Sequence, residues 1–256
     1  MKLLVINPNV SESVSQLIRN EALRSASPGT EVQVLTARAG VAYIETRFEA
    51  MLGAYEVAQL AAEHHAGCDA VIVAAFGDPG LMALREVLPC PATGMTEAAL
   101  ASACLLGARF SIVAISQRIR AWYGETVHAY GLSSRLASIH GLDEHLPEIG
   151  AVQVSHGERL QRLAEHCVRE DGADVIVLAG APLAGLARTL QGRLPAPVVD
   201  GVSSAVRHAE TVVKMGAGLA RQGSFAAPPA KTHKGLSPEI AAMLAAAQAQ
   251  RGAMAS

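Results

Sequence analysis

Asp69-Ala-Val-Ile-Val-Ala-Ala-Phe-Gly-Asp-Pro-Gly80 is the stretch whose reading decides the fold. An apolar run closed by Gly, Asp, Pro and Gly predicts a buried parallel strand that feeds a loop and then a helix. Gly172-Ala-Asp-Val-Ile-Val-Leu-Ala-Gly-Ala-Pro182 repeats the pattern. Gly67 and Gly172, Asp69 and Asp174, and Ala75 and Gly180 stand 105 positions apart. Each run is followed by a helix-like segment and a Pro-rich lead into a strand, Leu88-Pro-Cys-Pro-Ala-Thr-Gly94 and Leu194-Pro-Ala-Pro-Val-Val-Asp-Gly201. This is a two-fold repeat of half the chain. Ligands of open α/β sheets bind beyond the carboxyl ends of the strands. A site is therefore expected where two such ends face each other, at 75–80 and 179–183.

The bulk numbers narrow the class. Of 256 residues, 50% are hydrophobic and 17% charged, enough apolar material for a full core. A net charge of −2 and 4% aromatic residues argue against a nucleic-acid surface. No apolar stretch reaches membrane-spanning length. The N-terminal apolar run is too short for a signal segment and reads as a first strand. Cys68, Cys90, Cys104 and Cys167 show no CxxC spacing, so a reduced, cytoplasmic protein is expected.

Further strands are expected at 2–6, 31–35, 92–95, 109–115, near 136–139 and at 198–199. Helices are expected after Ser11 or Ser13, through Ala50–Ala61, at 81–87, from Thr96 to Leu106, around Trp122 and Tyr123, across Leu160–Cys167 and from Val202 to Leu219. The stretch 142–154 reads as irregular. Strands alternating with helices predict an α/β protein of two pseudo-symmetric, flavodoxin-like parallel-sheet halves. The expected division is 1–95 plus 203–222, then 96–202, with 223–256 as a C-terminal extension. That extension reads as an extended Pro/Gly/Ser/Lys-rich segment and an Ala-rich helix at 239–248, either lying on a partner subunit or partly disordered.

Phosphate-loop, GxGxxG, HExxH and GxSxG motifs are absent. His64 and His65 are adjacent on a helix and point apart. Neither a metal nor a cofactor is expected. What remains is polar groups at strand ends. Asn7 and Asn9 follow the first strand, and Ser116 takes the equivalent place in the second half. Asp78 follows the central strand. Thr96 and Glu97 open a helix whose N-terminus suits an anion, and Tyr43 and Glu45 lie in a loop. Each has a plain alternative. Asn9 and Ser11 cap helices, Asp78 fixes its turn, Glu97 is a first-turn surface charge, and Tyr43 is a polar-tipped core residue.

Five segments carry a family resemblance. They are Val5-Ile-Asn-Pro-Asn-x-Ser11, Phe76-x-Asp-Pro-Gly-Leu81, Gly94-x-x-Glu-Ala-Ala99, Leu106-Gly-x-Arg-Phe-Ser-Ile-Val113 and Pro197-Val-Val-Asp-Gly-Val202. In order and spacing the chain resembles the hydantoin and allantoin racemase branch of the aspartate/glutamate racemase superfamily, over residues 2–220. The resemblance implies a cofactor-independent enzyme with its cleft between two halves. It also implies a small hydantoin, ureide or amino-acid-like substrate, and a homo-oligomer. It further implies two cysteine acid/base groups, one per half. Those two positions are Ala75 and Gly180 here, and the four cysteines present lie elsewhere, where they read as small buried hydrophobes.

Altered chemistry is therefore expected, hydrolase or lyase rather than two-thiol racemisation. Asp78, Glu97 and Tyr43 are the candidate catalytic groups, and Asn9, Ala75, Phe76, Thr96, Ser116, Gly180, Ala181 and Pro182 the candidate substrate contacts. A racemase using non-thiol bases, a binding protein that lost catalysis and an engineered inactive variant remain as alternatives.

Overall fold

The computed structural model describes residues 1–143, 146 and 148–255, without the side chains of 251–255. Two four-stranded parallel sheets organise it. The first has the order β2-β1-β3-β4, with β1 at Lys2–Asn7, β2 at Glu31–Thr36, β3 at Ala70–Val73 and β4 at Ala92–Gly94. The second repeats that order as β6-β5-β7-β8, with β5 at Phe110–Ala114, β6 at Leu136–Gly141, β7 at Val175–Ala179 and β8 at Val198–Asp200. The repeat extends to single residues. Asp69 accepts a hydrogen bond from the Lys2 amide at 2.6 Å. Asp174 accepts from the Ala108 and Arg109 amides at 2.9 and 2.8 Å. Each aspartate thus ties its strand to the start of the strand beside it.

Both faces of each sheet are apolar because the side-chain period of a strand is two. Leu3, Val5, Ile72, Ile112 and Val177 point into one cluster that runs between the sheets. Leu4, Ile6, Val71 and Val73 face outward under α2 (Arg47–His64) and α3 (Leu81–Val87). Val113, Ile176 and Leu178 face outward under α6 (Val152–Arg169) and α7 (Leu186–Leu190). Between the sheets lie α1 (Glu12–Ser25), α4 (Met95–Leu106), α5 (Arg120–Ala129) and α8 (Gly201–Met215). The helices α4 and α8 are exchanged: α4 lies against β7 and β8, and α8 against β3 and β4. They cross closely where they begin, with Gly201 against the Met95 side chain. Buried contacts also join the halves elsewhere. Arg188 on α7 donates to Glu21 on α1, whose side chain is 2% exposed.

Some expectations are corrected. The helix α8 stops at Met215, not Leu219, because Gly216 turns left-handed at φ +61°. A 3-10 turn at Ile149–Ala151 and the first turns of α6 occupy part of the stretch read as irregular; residues 144, 145 and 147 of it lie outside the described residues. The tail packs on its own chain. Its helix α9 (Pro238–Ala255) lies on α2 and α3, with Met243 in the outer cluster and Ser237 donating to Gln59 at 2.8 Å. Cys90 and Cys104 are half-buried rather than buried, while Cys68 and Cys167 are buried.

Two glycines make a matched test of this packing. A Cβ on Gly94 would lie 2.5 Å from both carboxylate oxygens of Asp78. A Cβ on Gly157, inside α6, would meet nothing within 4 Å. Gly94→Ala is expected to cost roughly 1–3 kcal/mol through overpacking. Gly157→Ala is expected to gain up to about 1 kcal/mol from helix propensity. Urea midpoints of the two variants measure this, and equal midpoints would contradict the packing described.

Candidate active site between the halves

Ala75 follows β3 and Gly180 follows β7, both buried. Gly180 has φ +108° and ψ +138°, a backbone conformation that side-chain-bearing L-residues avoid. Beyond it, Ala181–Leu183 forms a 3-10 turn packed against α1. Gln153 fixes this turn by donating to the carbonyls of Pro182 at 2.8 Å and Ala184 at 2.9 Å.

Asp78 has φ +48°, tolerated because a short polar side chain relieves the left-handed region. Its Oδ1 accepts from the Thr96 amide at 2.8 Å. Its Oδ2 accepts from the Glu97 amide at 2.9 Å and the Tyr130 hydroxyl at 2.6 Å. The Thr96 hydroxyl accepts in turn from the Gly77 amide at 2.6 Å. The N-terminus of α4, read from sequence as a place for a ligand anion, thus holds the protein's own carboxylate. Glu97 turns elsewhere. It pairs with Arg85 and accepts from the Gly94 amide, and it lines a separate cavity of about 420 Å³ with Thr93, His208 and Phe225.

Tyr43 reaches from the loop after β2 to the outer cluster of the second half. Its hydroxyl is buried and faces that of Tyr123 without a well-formed hydrogen bond. Burial drives both phenols well above their ordinary pKa, so both keep their protons near neutrality. Phe76 stacks on Tyr123 at 4.6 Å between ring centroids, and the Trp122 ring lies against Gly77. A groove of about 430 Å³ opens beside Trp122, between Glu45–Phe48 and Arg118. Asn9 accepts from Asn7 at 3.1 Å and the Ser11 amide at 3.0 Å; its side-chain NH₂ has no partner among the described residues. Val10 donates to Val41 at 3.0 Å, which ties the Asn9 loop to the Tyr43 loop. Ser116 accepts from the Arg118 amide at 3.2 Å.

Tyr43, Phe76 and Asp78 therefore converge with Tyr123 and Tyr130, while the Glu97 side chain does not join them. The sequence reading did not place Tyr123 and Tyr130 beside these groups. Their seven-residue spacing, which puts both on one face of α5 and its C-terminal cap, was the available signal. Nor did it bring together His140, His166 and Asp171, whose side-chain N and O atoms lie within 4.8 Å of one another.

Burial raises the Asp78 carboxyl to about 6 despite three hydrogen bonds that favour its charged form. An unfolded aspartate titrates near 3.8. Between these values the folded state binds the extra proton, so this residue's contribution to stability falls as pH rises from about 4 to 6. Asp78→Asn is expected to flatten the pH dependence of the urea midpoint in that window, in part only, because Asp200 is raised to about 6 with the same sign. Tyr130→Phe removes a bond to the charged form and is expected to move the Asp78 midpoint above 6 in a carboxyl carbon NMR titration. A downward shift would contradict the geometry.

Residues 3–209 match the family model described as Asp/Glu/Hydantoin racemase. The hydantoin racemase of Paenarthrobacter aurescens is 35% identical over 240 residues, covering 91% of this chain and all of that one. Allantoin racemase from Klebsiella pneumoniae superposes with a TM-score of 0.88 at 34% identity, over 94% of this chain and 98% of that one. The allantoin racemase of Pseudomonas fluorescens gives 0.87 at 35% identity, over 92% and 100%. With that match and two parallel sheets of matching strand order, the chain belongs to the Asp/Glu/hydantoin racemase family.

Proposed function

We propose that the protein is a cofactor-independent enzyme that takes a small hydantoin- or ureide-like ring into the cleft between its halves. Its chemistry is hydrolytic or lyase-like and does not use paired thiols. The observation that carries this reading is the pair of strand ends. Ala75 and Gly180 stand where the resemblance implies cysteines, and neither can exchange a proton. Gly180 also holds a backbone angle that a cysteine would strain. The loop is thus built around glycine.

Two phenols beside Phe76 can serve as donors. Tyr43 and Tyr123 present protonated hydroxyls in an apolar setting, where a hydrogen bond to a developing oxyanion is worth more than in water. The substrate class rests on the relatives, which are named for hydantoin and allantoin. Arg118, at the mouth of the groove, has no ion-pair partner among the described residues and suits a substrate carrying negative charge. A homo-oligomer fits the exposed stripe of Phe48, Met51, Leu52 and Tyr55 at helical spacing on α2. A reducing, cytoplasmic setting fits the four free cysteines. Among the described residues no helix is long and apolar enough to cross a membrane.

One observation favours a second reading, a binding protein without catalysis. Both Asp78 oxygens are engaged and Glu97 is ion-paired, so neither of these two candidate carboxylates is free as a base. A single experiment separates the readings. Hydantoins, allantoin and amino-acid-derived ureides are incubated with the protein in deuterated buffer and followed by proton NMR. The expected result is a ring-opened or cleaved product, lost or slowed at least tenfold in Tyr43→Phe. Exchange of the α-proton without product would restore the racemase reading with a non-thiol base. Saturable binding without either change would leave a binding protein.

A further inference from the structure

We propose that His140, His166 and Asp171 form a binding site for a divalent transition-metal ion, with Zn²⁺ as its natural occupant, on the edge of the second sheet and apart from the cleft. The placement follows from local structure. Ser138 and His140 are two residues apart on the edge strand β6, so both side chains leave the same face of the sheet. That face meets the last turn of α6, which carries His166, and the turn after α6, which carries Asp171. Asp171 Oδ2 lies 2.8 Å from His140 Nε2, and its Oδ1 lies 3.9 Å from His166 Nε2. The two imidazoles stand edge to face, 5.1 Å between centroids.

Two neutral imidazoles and one carboxylate are a common donor set for zinc, which holds such atoms at about 2.0–2.2 Å and completes its shell with water. Ligand atoms around such an ion sit roughly 3.3–3.5 Å apart. The present spread of up to 4.8 Å would close by a rotation of the His166 side chain, which is 50% exposed. The supporting contact is already made. Ser138 donates to Asp171 Oδ2 at 2.7 Å and is itself 2.7 Å from the Ser111 hydroxyl on the neighbouring strand. Such outer contacts fix the orientation of a ligating carboxylate. The carbonyl end of the 18-residue helix α6 adds a negative dipole end facing the cation. A hydrogen-bonded His140–Asp171 pair alone does not require the second imidazole to turn toward the same carboxylate.

The test uses the untagged full chain, freed of metal with EDTA and moved to chelator-free buffer. Calorimetric titration with ZnCl₂ is expected to show one saturable equivalent. CoCl₂ is expected to give the visible absorption of a low-coordinate cobalt site at the same stoichiometry. His140→Ala and His166→Ala should each weaken binding at least tenfold, and Asp171→Asn, which preserves shape, should do the same. Ser138→Ala, which alters only a positioning residue, should weaken binding about tenfold while leaving one equivalent. His208→Ala, on α8, should change nothing. Absence of saturable binding to the wild-type chain would overturn the proposal. So would unchanged affinity in both histidine variants while circular dichroism shows them folded.

Discussion

The carboxylate of Asp78 at the N-terminus of α4 is the constraint on which the two-halved architecture rests. It belongs to the loop after β3 in the first sheet, and the helix it holds lies on the second. Burying a carboxylate is costly unless it is hydrogen-bonded, and here it meets two free amides of a helix end and a tyrosine hydroxyl. Asp200 makes the reciprocal arrangement. It caps α8 through the Ser203 amide at 2.9 Å and accepts from the Gly185 amide at 2.6 Å, while α8 covers the first sheet. Each half thus anchors a helix that the other half needs for its core. The missing side chains at Gly94 and Gly201 make the close crossing possible, since a Cβ at either would strike Asp78 or Met95.

That reciprocity explains which parts of the chain were legible in the sequence. The strands were, because a sheet covered on both faces demands continuous apolar runs, and Ala70–Val73 and Val175–Ala179 are such runs. The repeat was legible because Gly67 and Asp69 act through local backbone demands that recur at Gly172 and Asp174. Asp78 was visible as a residue but not in its role. Its partners are 18, 19 and 52 positions away, and no periodicity announces a carboxylate that serves a helix from another loop. Tyr43 was visible as a loop residue, yet its meeting with Tyr123 depends on how the halves dock. The tail was misplaced for the same reason: an Ala-rich helix does not reveal which surface it will cover.

The docking also sets what the cleft can do. Its strand ends carry alanine and glycine, its aspartate is held in place by three donors, and its glutamate faces a different cavity. Beside them stand two phenols, Tyr43 and Tyr123, that burial keeps neutral. A neutral phenol cannot remove a proton from carbon near neutral pH, but it can stabilise negative charge that develops on a carbonyl oxygen. Acyl attack by water and elimination through an enolate both generate such charge, whereas stereoinversion needs an acid and a base on opposite faces of one carbon. The proposed function therefore relies on binding and carbonyl polarisation and not on two-sided proton exchange, for which Ala75 and Gly180 supply no acid or base. Burial raises Asp78, like Asp200, to about 6. Freeing Asp78 to act as a base would cost the α4 anchorage, so a residue tuned toward proton transfer is also one that the fold holds fast.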